Sequence, residues 1–252
     1  MENVICKNCS KTFEGNFCPQ CGQDAHEHRI NASSILHDIP HSIFHIDKGF
    51  FYTLVKLFTH PGKMLKEYID GKRVSYFRPL AYVVLMSAIA TFIMKGISWI
   101  SRSIFLKYNP GGAFPESHGF FSHYISIFIF LTIPLTALVT WLFFIRQKYN
   151  YWEHIVMNTY IAAQMNIIII LIKLVGLITV LFTHRLAGIN MSVFLTIFIS
   201  GLLYMYGAVY GYIMLYSFKK KWQFFALIIL MNFILANIFM NLFVYAGISS
   251  PW

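Results

Sequence analysis

The stretch IAAQMNIIIILIKLVGLITVLF, residues 161–182, contains a single charged residue, Lys173. A helix needs about 20 apolar residues to cross a bilayer core that is about 30 Å thick, so this stretch is long enough to span a membrane. Two similar stretches precede it and two follow. We therefore predict an all-α integral membrane protein with about five transmembrane helices, at about 79–100, 120–145, 155–182, 191–218 and 222–248.

The amino-acid composition also favours a membrane protein. Hydrophobic residues make up 57% of the 252 residues and charged residues 12%, whereas soluble globular proteins average about 25% charged residues. The formal net charge is +10, but the basic residues cluster beside the predicted spans, where membrane orientation and anionic lipid explain them. Membrane lipids are therefore expected partners, and nucleic acid is not.

The distribution of Lys and Arg predicts the orientation, because short positively charged loops stay in the cytoplasm. Ten of these residues precede the first predicted span. With the N-terminus inside, fifteen face the cytoplasm and four face outward, counting Lys95 outside and leaving Lys173 aside. We therefore expect a bacterial inner-membrane protein whose N-terminus is cytoplasmic and whose C-terminus, Trp252, lies outside.

All four cysteines lie near the N-terminus, and we expect them to be metal ligands: Cys6, Cys9, Cys18 and Cys21. Two CxxC pairs across a short hairpin can form the closed tetrahedral sulfur shell that structural zinc prefers. A redox dithiol needs only one such pair, and four sulfur ligands leave no open position for catalysis. A reducing cytoplasm would keep the thiols free for metal. The sequence therefore predicts a small cytoplasmic zinc ribbon over residues 1–28.

The residues between and after the cysteine pairs suit this ribbon. Phe13 and Phe17 flank a turn-forming run at 14–16, so we expect their rings to cover the sulfurs. Gly22 follows the last cysteine and lets backbone amides approach the thiolates, because it has no side chain.

Residues 31–78 show the pattern of amphipathic juxtamembrane helices. We predict three: one reaching about residue 46, one with an apolar stripe over 50–58, and one from Pro61 to Gly71. Lysines between the apolar stripes favour helices that lie in the inner membrane interface. Packing of these helices against the cytoplasmic ends of the spans is an equally good interpretation.

His37, His41 and His45 recur every four residues, so a continuous helix would project them from one face. Asp38 lies beside them, which leads to the hypothesis of a second metal site or a proton site. Pro40 falls inside this run and would bend the helix unless it lies in the first turn. The alternative is that these histidines are interfacial or packing residues.

Polar side chains within the spans lead to a further hypothesis, an intramembrane polar site formed by Lys173, Asn166, Asn237 and Asn241. A charge at mid-membrane costs about 2.5–3.5 kcal/mol on insertion scales, so it usually faces protein or water. The alternative for the lysine is a shifted span from which it snorkels to one face. The alternative for the amides is hydrogen bonding between helices, at about 0.6–2 kcal/mol each.

The run HDIPHSIFHIDKGFFYTLVKLFTHPGKMLKEYIDGKRVSYFRPL, residues 37–80, follows the CxxC…CxxCG ribbon. Over residues 4–95 the chain resembles an uncharacterised multi-span membrane-protein family of Bacteroidota, known only as a domain of unknown function. The most distinctive piece is HPGKMLKEYIDGKRVSYFRP, residues 60–79. The resemblance implies a zinc ribbon followed by several spans, and it implies no catalytic residues. The plan of a cytoplasmic N-terminus and five spans is also similar to that of Yip1-type membrane proteins.

Three classes of function fit these features. A membrane-embedded scaffold or adaptor would recruit a protein partner through the zinc ribbon and needs no catalytic residues. A channel or transporter for a small solute or lipid would use polar groups around Lys173, in an oligomer. An intramembrane metalloenzyme would use the histidine face and is the least favoured, because the sequence contains no recognisable catalytic set. Gly207-x3-Gly211 permits close helix approach, within the chain or in a homo-oligomer.

Overall fold

The computed structural model describes residues 3–37, 48–112, 117–183, 191–214 and 218–245. The chain is mostly helical, as predicted. Two short antiparallel strands, β1 (Val4–Ile5) and β2 (Thr12–Phe13), come first. The helices that follow are α1 (Ala32–His37), α2 (Lys48–Thr59), α3 (Pro61–Ile69), α4 (Pro79–Tyr108), α5 (Ser117–Phe143), α6 (Tyr151–Thr183), α7 (Met191–Ile213) and α8 (Phe218–Tyr245).

Among the residues that the structure describes, three helical segments are long and apolar enough to cross a membrane: Pro79–Tyr108, Tyr151–Thr183 and Thr196–Ile213. They coincide with the first, third and fourth predicted spans, so the fold is consistent with a membrane protein. The other two predicted spans fall on α5 and α8, which are 27 and 28 residues long. Among the side chains that the structure describes, α5 contributes a shorter apolar stretch, Ile129–Phe143. The count of five spans therefore stays a prediction.

The boundary between the fourth and fifth predicted spans differs from the expected one. α7 ends at Ile213, whereas we expected the fourth span to continue to Phe218. Phe218 instead begins α8, and the three lysines at 219–221 form part of its first turn rather than a loop. The physical reason is that lysine is a good helix former, so a charged run need not end a helix.

Helix α6 lies at the centre and packs against α4, α5 and α7. Every residue from Glu153 to Asn166 is buried, so the N-terminal half of α6 has no exposed face. A helix that is buried all round belongs to the interior of a bundle. The polar side chains in this half of α6 are therefore enclosed by protein rather than by lipid.

The amphipathic helices pack on the bundle. Phe50 and Leu57 of α2 and Met64 of α3 are buried in the same core as the long helices. On the opposite side of α2, Phe51 and Val55 are 62% and 57% exposed. The structure therefore supports packing against the ends of the spans, while the outer face of α2 has the apolar character of an interfacial helix.

The ends of the short helices agree with the sequence. Asn31 lies just before α1, and its side-chain oxygen accepts the backbone N–H of Ser34 at 2.9 Å, which is the bond of an N-cap. α3 begins with Pro61 and ends before Gly71, whose φ of 114° is a conformation that favours glycine. The predicted continuation of α1 towards residue 46 lies outside the described residues.

Helices α3 and α7 approach each other closely at Gly62. A Cβ atom built on this glycine would lie 2.3 Å from the backbone oxygen of Ala208 and 2.4 Å from the Cβ of Tyr212. Both distances are far below van der Waals contact, so this approach depends on glycine. Gly207 lies on α7, and a Cβ atom built on it would lie 3.1 Å from the ring of Phe225 on α8. The close helix packing at Gly207 therefore occurs within the chain.

We expect Gly62→Ala to lower the free energy of unfolding by about 1–3 kcal/mol, the usual cost of overpacking a tight contact. The measurement is thermal unfolding of the purified protein in a mild detergent. Gly96→Ala is the matched control, because Gly96 lies inside α4 with nothing within 4 Å of a built Cβ. Alanine should stabilise that helix slightly. Equal stability of the two variants would contradict the close contact between α3 and α7.

Candidate functional site

The two CxxC pairs form the same backbone turn. In the first pair, the backbone N–H of Ser10 donates to the carbonyl of Cys6 at 2.9 Å. In the second pair, the backbone N–H of Gly22 donates to the carbonyl of Cys18 at 2.8 Å. Ser10 and Gly22 both have a positive φ, 62° and 75°. The turns are therefore an approximate repeat, and each one presents two sulfurs to a shared centre.

The four sulfur atoms lie within 4.8 Å of one another. The Sγ atoms of Cys6 and Cys21 are 3.5 Å apart, as are those of Cys9 and Cys18. A tetrahedral zinc ion with bonds of about 2.3 Å requires sulfur atoms roughly 3.8 Å apart, so the cluster has a suitable size. The structure thus supports a metal-binding centre built from the four predicted cysteines.

The cysteine cluster favours part of the negative charge that binding of a metal ion requires. Burial opposes ionisation of the Cys18 thiol, but backbone hydrogen bonds from Gln20 and Cys21 outweigh it and lower its pKa to about 7. At Cys9 a backbone hydrogen bond from Lys11 lowers the pKa, whereas burial and the neighbouring sulfurs raise it more strongly, to about 12. One thiolate therefore forms readily, and the last requires a cation at the centre.

Phe13 covers the metal cluster, and Phe17 does not. Phe13 is 6% exposed and packs with Cys6 and Cys18, as predicted. Phe17 is 64% exposed, so the prediction that both rings cover the sulfurs is wrong for this residue. Its backbone pairs with Asp24 in an isolated bridge, which turns the ring outward.

The ribbon, residues 3–28, is attached to the loop between α3 and α4. The side-chain oxygen of Gln23 accepts two consecutive backbone N–H groups of this loop, starting at Arg73, at 3.2 Å each. The amide nitrogen of Gln23 donates to Glu27 at 2.9 Å, and Glu27 forms an ion pair with Arg73. The hydroxyl of Ser75 donates to Asn8 at 2.8 Å. Because Gln23 is only 2% exposed, these bonds are largely shielded from water.

A second attachment joins Arg29, next to the ribbon, to the start of α6. The guanidinium of Arg29 donates to both carboxylate oxygens of Glu153, at 2.9 Å each, and also to the carbonyl of Lys148. Glu153 and Asn150 exchange bonds as well: Glu153 accepts the N–H of Asn150 at 2.7 Å, and Asn150 accepts the N–H of Glu153 at 2.9 Å. This is the reciprocal arrangement of a capping box. One carboxylate therefore caps α6 and holds the chain that leads from the ribbon.

Immediately after Glu153, a buried polar cluster joins α5, α6 and α7. Asn158 donates to the hydroxyls of Thr140 at 3.1 Å and Tyr210 at 2.9 Å, and it accepts the hydroxyl of Tyr206 at 2.7 Å. Nδ1 of His154 lies 3.1 Å from the Thr140 hydroxyl and 3.2 Å from that of Tyr210. Each of these five side chains is 3% exposed or less. Hydrogen bonds of this kind hold helices together inside membranes.

Sequence reasoning missed most of this polar cluster. None of its five residues belongs to the intramembrane polar site that the sequence predicts. The available signal was spacing, because His154 and Asn158 on α6, and Tyr206 and Tyr210 on α7, are each four residues apart and share a face. Tyrosine near a span is usually interpreted as an interfacial residue. The pairing of the α7 tyrosines with the polar residues of α6 is therefore not predicted from the sequence.

The residues of the predicted intramembrane polar site have separate surroundings. Asn166 is buried and donates to the hydroxyl of Ser87 on α4 at 3.3 Å. Asn237 and Asn241 are exposed, and their amides donate to carbonyl oxygens one turn earlier on α8. Lys173 is half-buried on α6. None of the contacts described here joins the two α8 amides to Lys173, so a shared site stays a prediction.

The histidine face cannot be placed in the same way. His37 is the last residue of α1, while Asp38, His41 and His45 lie outside the described residues. The hypothesis of a second metal or proton site therefore stays a prediction. Within the part of the chain that the structure describes, the cysteine cluster is the group that could hold a metal ion.

A family model described as "Protein of unknown function (DUF3667)" matches residues 47–91. Over this segment, the chain is similar to an uncharacterised domain family. The matched segment comprises α2, α3, the loop that binds the ribbon and the first part of α4. No curated protein and no solved structure matches the chain.

Inside the segment matched by DUF3667, Glu67 organises the loop that receives the ribbon. Its carboxylate accepts the ammonium of Lys72 at 3.1 Å and the hydroxyl of Tyr76 at 2.6 Å. Burial opposes ionisation of Glu67, but these two hydrogen bonds outweigh it and lower its pKa. Burial and the Glu67 carboxylate raise the pKa of Tyr76, so the phenol keeps its proton and remains the donor. The loop is thereby held by contacts with α3 that do not involve the ribbon.

We expect purified wild-type protein to contain one metal ion per chain and Cys9→Ser to contain none, because loss of one thiolate opens the tetrahedral shell. The measurement is metal analysis of both proteins in a mild detergent. Membrane insertion of Cys9→Ser should be intact, since the long helices carry the apolar segments. Unchanged metal content in this variant would contradict the metal centre.

The matched control combines His41→Ala with His45→Ala and leaves all four cysteines in place. One metal ion per chain in this double variant, as in the wild type, would confine the metal to the ribbon. A second metal ion that is present in the wild type and lost in the double variant would establish the histidine site.

Proposed function

We propose that this protein is a membrane-embedded scaffold or adaptor whose zinc ribbon presents a docking surface on the cytoplasmic side. The observation that carries the proposal is the fixed position of the ribbon. It is attached to the bundle at two places, through Gln23 and Glu27 and through Arg29. A small domain on a flexible linker has no defined orientation, whereas this one is held in a single orientation relative to the membrane helices.

Zinc is the metal we propose, and its role is structural. Four thiolates at tetrahedral spacing suit zinc and leave no coordination position for a substrate. The ribbon also needs such an ion for stability. Among its described residues, the buried apolar cluster consists of Cys6, Phe13 and Cys18, which is too small a core to fold a domain without a metal or disulfides.

We also propose the predicted topology of five spans with a cytoplasmic N-terminus. The ribbon and the residues after it contact Arg73, which precedes α4, and Lys148, which lies between α5 and α6. The start of α4, the end of α5 and the start of α6 therefore lie at one end of the bundle, as expected for helices that cross a bilayer in alternating directions. The excess of Lys and Arg before the first span assigns that end to the cytoplasm.

The outer surface of the ribbon has a character that suits a protein partner. Ile5 and Phe17 are 67% and 64% exposed, although both belong to a unit of fixed structure. Exposed aromatic and aliphatic side chains on a rigid surface commonly form the centre of a protein interface. A partner that buries these two side chains would be brought to a defined place on the membrane.

We expect a stoichiometric partner to co-purify with the wild-type protein from native membranes, and to be reduced about tenfold or more when Ile5→Ser and Phe17→Ser are combined. The reason is that removing two central apolar contacts costs an interface about 2 kcal/mol or more. The measurement is quantitative mass spectrometry of the co-purified proteins, with metal content determined in parallel. Glu14→Ser, which changes an exposed polar residue of the ribbon, should retain the partner. An identical set of bound proteins in all three samples would contradict the scaffold.

A channel or transporter is the second candidate, and a specific observation favours it. Several buried polar atoms on the membrane helices have no hydrogen-bond partner in the described structure: Nε2 of His154, the hydroxyl of Tyr82 and both amide atoms of Gln164. Unpartnered polar groups inside a membrane protein are costly and often mark a route for water, protons or a solute. Lys173 lies farther along α6, the helix that carries His154 and Gln164. The third candidate, an intramembrane metalloenzyme, depends on the histidine face.

If the protein conducts protons or small anions, Lys173→Leu should abolish their flux while the protein stays folded, because the lysine would be the charged group of the path. The measurement is flux of both species across proteoliposomes that contain the purified protein. Lys95→Leu, near the end of the first span, is the control and should conduct as the wild type does. Flux that survives Lys173→Leu would reduce the lysine to a structural role.

A further inference from the structure

A cavity of about 320 Å³ lies where the ribbon meets the bundle. Its lining includes Lys7 of the ribbon, Arg73 of the loop between α3 and α4, and Lys148 of the loop before α6. The volume falls within the range of about 300–1,000 Å³ that is typical of small-molecule sites. Three parts of the chain that are far apart in sequence thus enclose a space large enough for a ligand.

Cations outnumber the carboxylates that can neutralise them in this cavity. Three carboxylates line it, and each one already has a cationic partner: Glu27 with Arg73, Glu153 with Arg29, and Asp70 with Lys66. Lys7 and Lys148 also line the cavity, and neither has a carboxylate within 4.0 Å in the described ranges of the chain. These two ammonium groups are the uncompensated positive charges of the site.

The contacts of the two lysines are weak. The ammonium of Lys7 donates to the backbone oxygen of Glu27 at 3.3 Å, and that of Lys148 lies 5.2 Å from the centre of the Tyr149 ring. Arg73 also lines the cavity, but its guanidinium already pairs with Glu27 and donates to the backbone oxygen of His28. The two lysines are therefore the donors that a stronger acceptor in the cavity would recruit.

We infer that this cavity binds an anion that carries a phosphate group, which bridges Lys7 of the ribbon and Lys148 of the bundle. A phosphate monoester carries close to two negative charges at neutral pH and has three strong acceptor oxygens, so it can neutralise both lysines and accept a hydrogen bond from each. A carboxylate carries one negative charge, so it would leave one of the two lysines uncompensated. The phosphate group could belong to a soluble molecule or to a lipid headgroup.

Such an anion would act as a further attachment between the ribbon and the membrane helices. Lys7 lies between Cys6 and Cys9, so the metal centre positions one half of the anion site. Lys148 lies outside the ribbon and is positioned by the bundle. Binding is therefore expected to stabilise the docked ribbon, and this expectation does not depend on any protein partner.

The test uses the full-length protein in nanodiscs of phosphatidylcholine, and the probe is inorganic phosphate with sodium chloride at equal ionic strength as the reference. We expect phosphate to raise the midpoint of thermal unfolding, because a ligand that binds the folded state stabilises it by mass action. Combining Lys7→Gln with Lys148→Gln should weaken the apparent affinity about tenfold or more, as expected for loss of charge-assisted hydrogen bonds. Combining Lys11→Gln with Lys220→Gln removes the same charge outside the cavity and should leave the affinity unchanged.

A second set of nanodiscs, of phosphatidylcholine mixed with phosphatidic acid, identifies the source of the phosphate group. A rise in the midpoint with inorganic phosphate indicates a soluble ligand, and a rise only with phosphatidic acid indicates a lipid headgroup. Either result supports the site if the cavity variant loses it and the control variant keeps it. No rise with either probe, or an equal rise in both variants, overturns the inference.

Metal content is measured for every variant, because Lys7 lies within a cysteine pair. If the double variant loses its metal, Lys148→Gln alone replaces it, since that lysine is not part of the ribbon. An affinity unchanged by Lys148→Gln would then overturn the inference.

Discussion

The carboxylate of Glu153 is the group on which the joint between ribbon and bundle depends. It caps the first turn of α6 through the N–H of Asn150 and accepts hydrogen bonds from two nitrogens of the Arg29 guanidinium, Nε and Nη2. Its side chain is 5% exposed, whereas that of Arg29 is 58% exposed. A buried carboxylate needs hydrogen-bond partners, and here they come from two parts of the chain. The helix end therefore requires the ribbon segment, and the ribbon segment requires the helix end.

The same region of α6 connects the joint to the interior of the bundle. Glu153 contacts the chain next to the ribbon, and the next residue, His154, belongs to the buried cluster with Thr140 and Tyr210. Polar contacts thus continue from the surface attachment into the core, at the level where α6 is buried on all sides. Apolar packing alone tolerates small shifts between helices, whereas hydrogen-bonded side chains fix their register. The register of α6 against α5 and α7 is therefore fixed near the start of this helix.

The features that could be predicted from the sequence are those that local spacing determines. The cysteine pairs, the start of α3 at Pro61 and its end before Gly71 each follow from residues a few positions apart. The bond between Arg29 and Glu153 joins residues 124 positions apart. Neither residue belongs to a sequence motif from which the other could be predicted as its partner. The outward position of Phe17 could not be predicted for a similar reason, because alternation within so short a hairpin does not decide which ring covers the sulfurs.

The ribbon has two sets of contacts, the metal centre and the docking contacts with the bundle. They differ in the sequence separation of the residues that they join, and this difference determines which set depends on the other. The metal centre is local, because the four cysteines and Phe13 lie within 16 residues of sequence. The docking contacts are long-range, and two of the ribbon residues that make them, Asn8 and Gln23, lie within two positions of a cysteine. If the ribbon holds the metal that we propose, the metal orders the segments that carry these two side chains, whereas a ribbon that has left the bundle still has all four sulfurs. We therefore expect docking to depend on the metal, and metal binding not to depend on docking.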